Sequence, residues 1–152
     1  MFRPRVVKLV SMRAIIACLS AGPVWAQSQQ PASPTTLDYE FFKTKVEPIF
    51  LARRPGHARC VACHGSSTPL RLQPLAAGNT RWTEEESRKN FDAIRRVVVP
   101  GSDRSRLLVH PLEEAAGGDF YHSGGKHWSS QDDPEWQTLK SWVLGATASG
   151  GK

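Results

Sequence analysis

Cys60-Val61-Ala62-Cys63-His64 decides the reading of this chain. Two thiols three residues apart on one helical turn point the same way. Each can add across a vinyl group of one porphyrin, and the histidine that follows can reach the iron from that side. Cys-x-x-Cys-His is the attachment pattern of c-type haem, so one covalent haem c is expected, held by Cys60 and Cys63 with His64 as proximal iron ligand. Two other chemistries use similar residues. A structural zinc site takes four Cys or His ligands, for which His57, Cys60, Cys63 and His64 offer only a cramped set. A redox-active Cys-x-x-Cys should open a helix inside a βαβ unit, whereas the flanks here read as helical or irregular.

The chain has 152 residues, and its start points to export. Arg3, Arg5, Lys8 and Arg13 precede and enter an apolar, small-residue run from Ala14, with Val24-Trp25-Ala26 as cleavage signal. Residues 1–26 therefore read as a signal peptide. Cleavage would remove four basic residues and no acidic ones, so the formal charge of +6 would fall to about +2. The mature chain then lacks the basic stripe interleaved with aromatics that a nucleic-acid partner requires. Arg13 also interrupts the apolar stretch, which is too short to span a bilayer, and no transmembrane span is expected in the mature chain. Ile15-Ile16-Ala17-Cys18 loosely resembles a lipoprotein cleavage box, but the same interruption favours a periplasmic or otherwise exported protein over a lipid-anchored one.

Residues 27–36 are rich in Gln, Ser and Pro and read as a flexible linker, 37–146 as the folded domain, and 147–152 as a flexible tail. Tyr39, Phe42, Val46, Ile49 and Phe50 recur at helical steps, with Pro48 expected to bend or split that helix. Residues 53–57 form a basic turn, in which Arg53 and Arg54, together with Arg59, form a solvated surface or one that steers an acidic partner. Leu70, Leu72 and Leu75 lie in a loop, either against the haem or at the surface. Thr83 and Glu86 form a capping box ahead of a stripe of Phe91, Ile94, Val97 and Val98 that ends at Pro100-Gly101. Ser102 is expected to cap a short helix through Leu107 and Leu108. Asp133-Pro134 starts a last helix carrying Trp136, Leu139, Trp142 and Val143, ended by Gly145. No strand pair or internal repeat is evident, so the fold class is all-α. The tryptophans read as core or haem-packing side chains, and the carboxylate runs at residues 84–86 and 113–114 as helix-start and loop charges. Neither a nucleophile–base set nor a phosphate-binding loop is present.

Beyond the pentapeptide, Val46-x-Pro48-Ile49-Phe50, Val99-Pro100-Gly101, residues 105–108, His122-x-Gly124-Gly125 and Trp142 occur in an order that resembles planctomycete-type cytochrome c domains. The resemblance spans roughly residues 37–146, and the pentapeptide is its most specific part. It implies a cytochrome c-like fold whose N- and C-terminal helices cross beside the covalently bound haem, with a glycine-rich loop presenting the distal ligand. Related domains often use methionine there, but Met1 and Met12 both lie in the expected leader. His122 in the glycine-rich loop is the leading sixth-ligand candidate, with His127 and His110 as alternatives, and His57 lies too close to Cys60 to reach across the ring. The link from Pro48 to Cys60 is longer than the family pattern.

The function these features imply is that of a monohaem electron carrier of the bacterial cell envelope. Redox partner proteins would meet it there, in transient contact or within a membrane-associated complex. An open or displaceable sixth position would instead suit a haem enzyme or gas sensor, and a third possibility is an electron-entry subunit of a larger oxidoreductase.

Overall fold

The computed structural model describes residues 35–66 and 68–150. The expected signal peptide with its two methionines and Cys18, most of the linker, and the last two residues of the tail lie outside these. Among the described residues the regular structure is helical and contains no strand, only isolated bridges pairing Arg54 with His57 and Leu112 with Trp128. No helix there is long and apolar enough to cross a membrane.

The first helical run has three parts: α1 (Tyr39–Phe41), a π-helical stretch (Phe42–Val46) and α2 (Glu47–Leu51). Asp38 caps it, its carboxylate accepting the Phe41 amide at 2.6 Å. Pro48 neither splits the run nor ends it. It stands in the first turn of α2, and the wider turn lies just ahead, where the Glu47 amide reaches back five residues to the Phe42 carbonyl. A proline brings no amide hydrogen, and near the start of a helical segment none is needed. The apolar positions therefore stay on one face: Phe42, Val46, Ile49 and Phe50 are all buried.

α3 (Cys60–His64) is a single turn carrying the pentapeptide. α4 (Glu84–Ile94) begins with the expected capping box, the Thr83 hydroxyl accepting the Glu86 amide and the Glu86 carboxylate accepting the Thr83 amide at 2.8 Å. Its inner face is more polar than the hydrophobic stripe suggested, since Ser87 and Asn90 are buried beside Ile94. Each has a partner: Asn90 accepts the Gln73 amide and Ser87 donates to Glu47. α5 (Arg106–Val109) starts one turn later than Ser102 would place it. Ser105 precedes it, fully buried, its hydroxyl accepting the Val99 amide at 3.2 Å, whereas the Ser102 hydroxyl accepts the Arg104 amide in the preceding turn.

α6 (Pro134–Val143) is capped by Asp133, and the Leu144 that follows it leads into Gly145, whose φ of 98° suits glycine. Trp136, Leu139, Trp142 and Val143 form its buried face, as the sequence predicts. Trp142 is the joint between chain ends: its ring lies 5.5 Å from Phe42, and its indole NH donates to the Asp38 carbonyl at 2.8 Å. Phe91 of α4 completes this aromatic cluster, 5.4 Å from Phe42 and 6.2 Å from Trp142. Trp136 similarly donates to the Leu108 carbonyl at 3.0 Å, so α6 binds both the first run and α5. Buried indoles with satisfied NH groups combine large apolar area with fixed orientation.

Among the described residues Glu47 is the one buried carboxylate, with one oxygen on the Ser87 hydroxyl and the other without a partner. Burial raises its pKa above the ordinary 4.5. A carboxyl whose folded pKa exceeds its unfolded one holds its proton longer in the native state, so its contribution to stability falls as pH rises above about 4.5. Glu47→Gln should therefore be more stable than the parent at neutral pH, by about 1 kcal/mol, with the gap closing in acid. Urea denaturation at both pH values measures this, and a less stable variant at neutral pH would contradict it.

Candidate haem cleft

α3 forms one wall of a cleft that contains about 1130 Å³ of space unfilled by protein atoms, counted out to its open side. Phe50, Leu70, Val97, Leu107, Pro111 and Trp128 give it a mostly apolar lining, and Cys60, Cys63, His64, His110, His122 and His127 also face it. Leu70 thus lies on the cleft, Leu72 is buried in the core, and Leu75 packs against the core's edge.

His64 is oriented by the loop behind it. Its Nδ1 lies 3.0 Å from both the Leu70 carbonyl and the Thr68 hydroxyl, and Thr68 itself donates to that carbonyl. The Leu72 amide closes the same loop on the His64 carbonyl at 2.7 Å. A carbonyl accepts only from a protonated nitrogen, so Nδ1 carries a hydrogen, and Nε2 is the lone-pair nitrogen of the neutral ring. This is the outer support that metal-bound histidines ordinarily have.

His122 repeats the device. Its Nδ1 lies 2.6 Å from the Gly125 carbonyl, and the Gly125 amide bonds back to the His122 carbonyl at 2.9 Å. Gly125 has φ +78°, a backbone conformation that side-chain-bearing residues rarely adopt. Farther back, Gly118 passes so close to Leu112 that a Cβ would lie 1.9 Å from its carbonyl oxygen, which pins the loop's base. Burial lowers the His122 pKa, against the opposing effect of the Gly125 carbonyl, and so favours the neutral ring that a metal needs.

The two rings lie 6.3 Å apart between centres and are only 18° from parallel. A metal–imidazole bond is about 2 Å long and the ring centre lies roughly 1.1 Å behind the nitrogen, so two imidazoles on one metal, in line from opposite sides, have centres about 6 Å apart. The ring spacing, the two free thiols and the mostly apolar lining are compatible with a haem that Cys60, Cys63, His64 and His122 would hold.

The other candidates are engaged differently. His110 has its Nδ1 3.0 Å from Asp119 and stands edge-on to His122 at 4.9 Å, so it braces that ring. His127 lies 5.8 Å from His122 and 5.1 Å from the exposed His57. Its Nδ1 is buried without a partner, and burial first, then nearby Arg54, pushes its pKa down to about 4. All five histidines of the chain thus join one cluster, although their spacing in sequence gives no sign of it.

Arg54 is not a solvated surface charge. It forms an ion pair with Glu135 at 2.5 Å, donates to the Ile49 carbonyl at 2.9 Å and lies over the Trp128 ring. These contacts tie the turn before α3 to the start of α6. A charge run in sequence cannot reveal this, because the partner is 81 residues away.

Cys60 and Cys63 are free thiols, the first half-buried and the second exposed. Burial raises the Cys60 pKa, with Arg54 opposing, whereas a reactive Cys-x-x-Cys pair needs a lowered one. Among the described residues no group of three or more His, Cys, Asp or Glu side chains is arranged to hold a bare metal ion. Comparisons with protein families, curated proteins and solved structures found no match to this chain.

In chain prepared without haem, Cys63 should react with iodoacetamide several-fold faster than Cys60. Alkylation of Cys60→Ser and Cys63→Ser variants, followed by mass spectrometry, measures each thiol alone. Faster reaction at Cys60 would contradict the burial described.

Proposed function

We propose that this chain is a monohaem c-type cytochrome of the bacterial cell envelope, an electron carrier of cytochrome c-like fold. The observation that carries the reading is that the His64 and His122 rings lie 6.3 Å apart and 18° from parallel in a cleft also lined by two free thiols. When bound, haem c supplies a one-electron Fe(II)/Fe(III) couple.

The residues of the chain then have separable tasks. Cys60 and Cys63 fix the ring by thioethers. The Leu70 and Gly125 carbonyls hold the Nδ1 edges of the His64 and His122 rings, so each ring would keep its orientation when the charge at a bound metal changes. Phe50, Leu107 and Trp128 keep water from one side of the cleft. Packing of the first helical run on α6 through Phe42 and Trp142 supports the crossing expected from the family resemblance. In this role the protein binds no substrate, and its partners are redox proteins met through the open side.

His122→Ala tests the ligand set. In protein matured with haem, the parent should show a low-spin reduced spectrum that carbon monoxide does not rapidly change, whereas the variant should become high-spin and bind carbon monoxide readily. A parent that binds carbon monoxide at once favours the gas-sensor or enzyme reading, and a variant that stays low-spin removes His122 from the iron.

Two histidines lack the potential-raising effect of methionine, so the midpoint potential should lie below that of His/Met cytochromes. Redox titration measures it, and a value within the His/Met range would contradict this ligand set.

A further inference from the structure

Buried apolar side chains do not hold the loop that carries His122. Phe120 and Tyr121, just ahead of the histidine, are 85% and 65% exposed. The fastening is polar and lies at the loop's base. The Asp119 amide donates to the Val109 carbonyl at 2.8 Å, and the His127 amide donates to the Pro111 carbonyl at 2.7 Å. Both ends are thereby tied to residues 109–111, which follow directly on the buried Leu107 and Leu108 of α5.

Lys126 bridges these ends. Half-buried, its ammonium donates to the Asp119 carbonyl across the loop and to the His110 carbonyl at 3.1 Å. The Asp119 carboxylate in turn meets the His110 Nδ1 at 3.0 Å. An ammonium is strongly hydrated, so one aimed at two main-chain carbonyls rather than at water has a structural task, and its donors can serve both carbonyls at once. With residues 119 and 126 joined, only residues 120–125 remain free between them, and His122 is among these.

We propose that Lys126 is a positioning residue for the sixth iron ligand: by clasping the base of the loop it limits how often the His122 ring leaves the metal. The assignment rests on the haem reading above. An imidazole leaves a metal only if its main chain backs away, and the clasp removes most of the chain in which that movement could occur. Occupancy of the sixth position separates an electron carrier from a protein that binds small gases. Lys126 therefore protects the carrier role without touching the iron.

Carbon monoxide reports ring departure, since it can take the sixth position only after His122 has left. The experiment uses the full chain matured with haem, as parent, Lys126→Met, Lys126→Arg and Thr83→Ala, all of which should be low-spin before the gas is added. Binding to the reduced protein should be about tenfold faster in Lys126→Met than in the parent, the weight of one charge-assisted hydrogen bond. The rate should level off as carbon monoxide is raised, because ring departure limits it. Arginine keeps a charge and donors for the carbonyls, so Lys126→Arg should return toward the parent. Thr83→Ala removes the α4 capping box and controls for a general loss of stability, so it should keep the parent's rate. A Lys126→Met protein that binds at the parent's rate overturns the proposal, as does a Thr83→Ala or Lys126→Arg protein as fast as Lys126→Met. Should Lys126→Met fail to mature, Lys126→Gln, which keeps a donor but not the charge, decides in the same way. A parent that takes up no haem overturns the haem reading itself, and this assignment with it.

Discussion

The constraint on which this structure depends is the fixed tautomer of two histidines. A backbone carbonyl holds the Nδ1 proton of each ring, Leu70 for His64 and Gly125 for His122, and leaves Nε2 as a lone-pair donor. Neither carbonyl belongs to a long helix, so both must be positioned by loop closure. The Leu72 amide on the His64 carbonyl closes one loop, and the Gly125 amide on the His122 carbonyl closes the other. Without these closures the rings could turn, and their 6.3 Å, near-parallel arrangement would be one of many.

The helices serve this geometry from behind. Phe42, Phe91 and Trp142 join the first run, α4 and α6, and the Trp136 indole fastens α6 to α5 beside His110. Arg54 ties the turn before α3 to α6 through Glu135. Of the described core, Phe50, Leu107 and Trp128 also line the cleft. A large apolar cofactor seated there would complete that core, which makes binding and stability parts of one free-energy balance.

What could be read from sequence was what is encoded locally. The pentapeptide, the Thr83–Glu86 capping box, the Asp133-Pro134 helix start and the alternation of buried residues on α6 all depend on residues within a few positions of one another. The form the interruption at Pro48 takes, one wider turn just ahead of it, depends on the hydrogen-bond register around the proline, which the sequence does not display. Ser105 rather than Ser102 precedes α5 because Ser105 is needed in the core to accept the Val99 amide. The pairing of Arg54 with Glu135, the buried Ser87–Glu47 contact and the carbonyls behind the histidines join residues far apart in sequence or involve the main chain, which no side-chain motif reports. The ring of His122, in its glycine-rich setting, lies 6.3 Å from that of His64 in the folded chain, and the edge-on contact of His110 with His122 is visible only there.

The central claim, that Cys60 and Cys63 attach one porphyrin, is tested most directly by the mass of the intact protein. The chain should be produced together with haem-maturation machinery, denatured and extracted with acidified acetone. The account predicts a coloured polypeptide heavier by one haem, with neither thiol open to alkylation. Colourless protein of bare polypeptide mass with two reactive thiols, made where a control cytochrome matures normally, would contradict it.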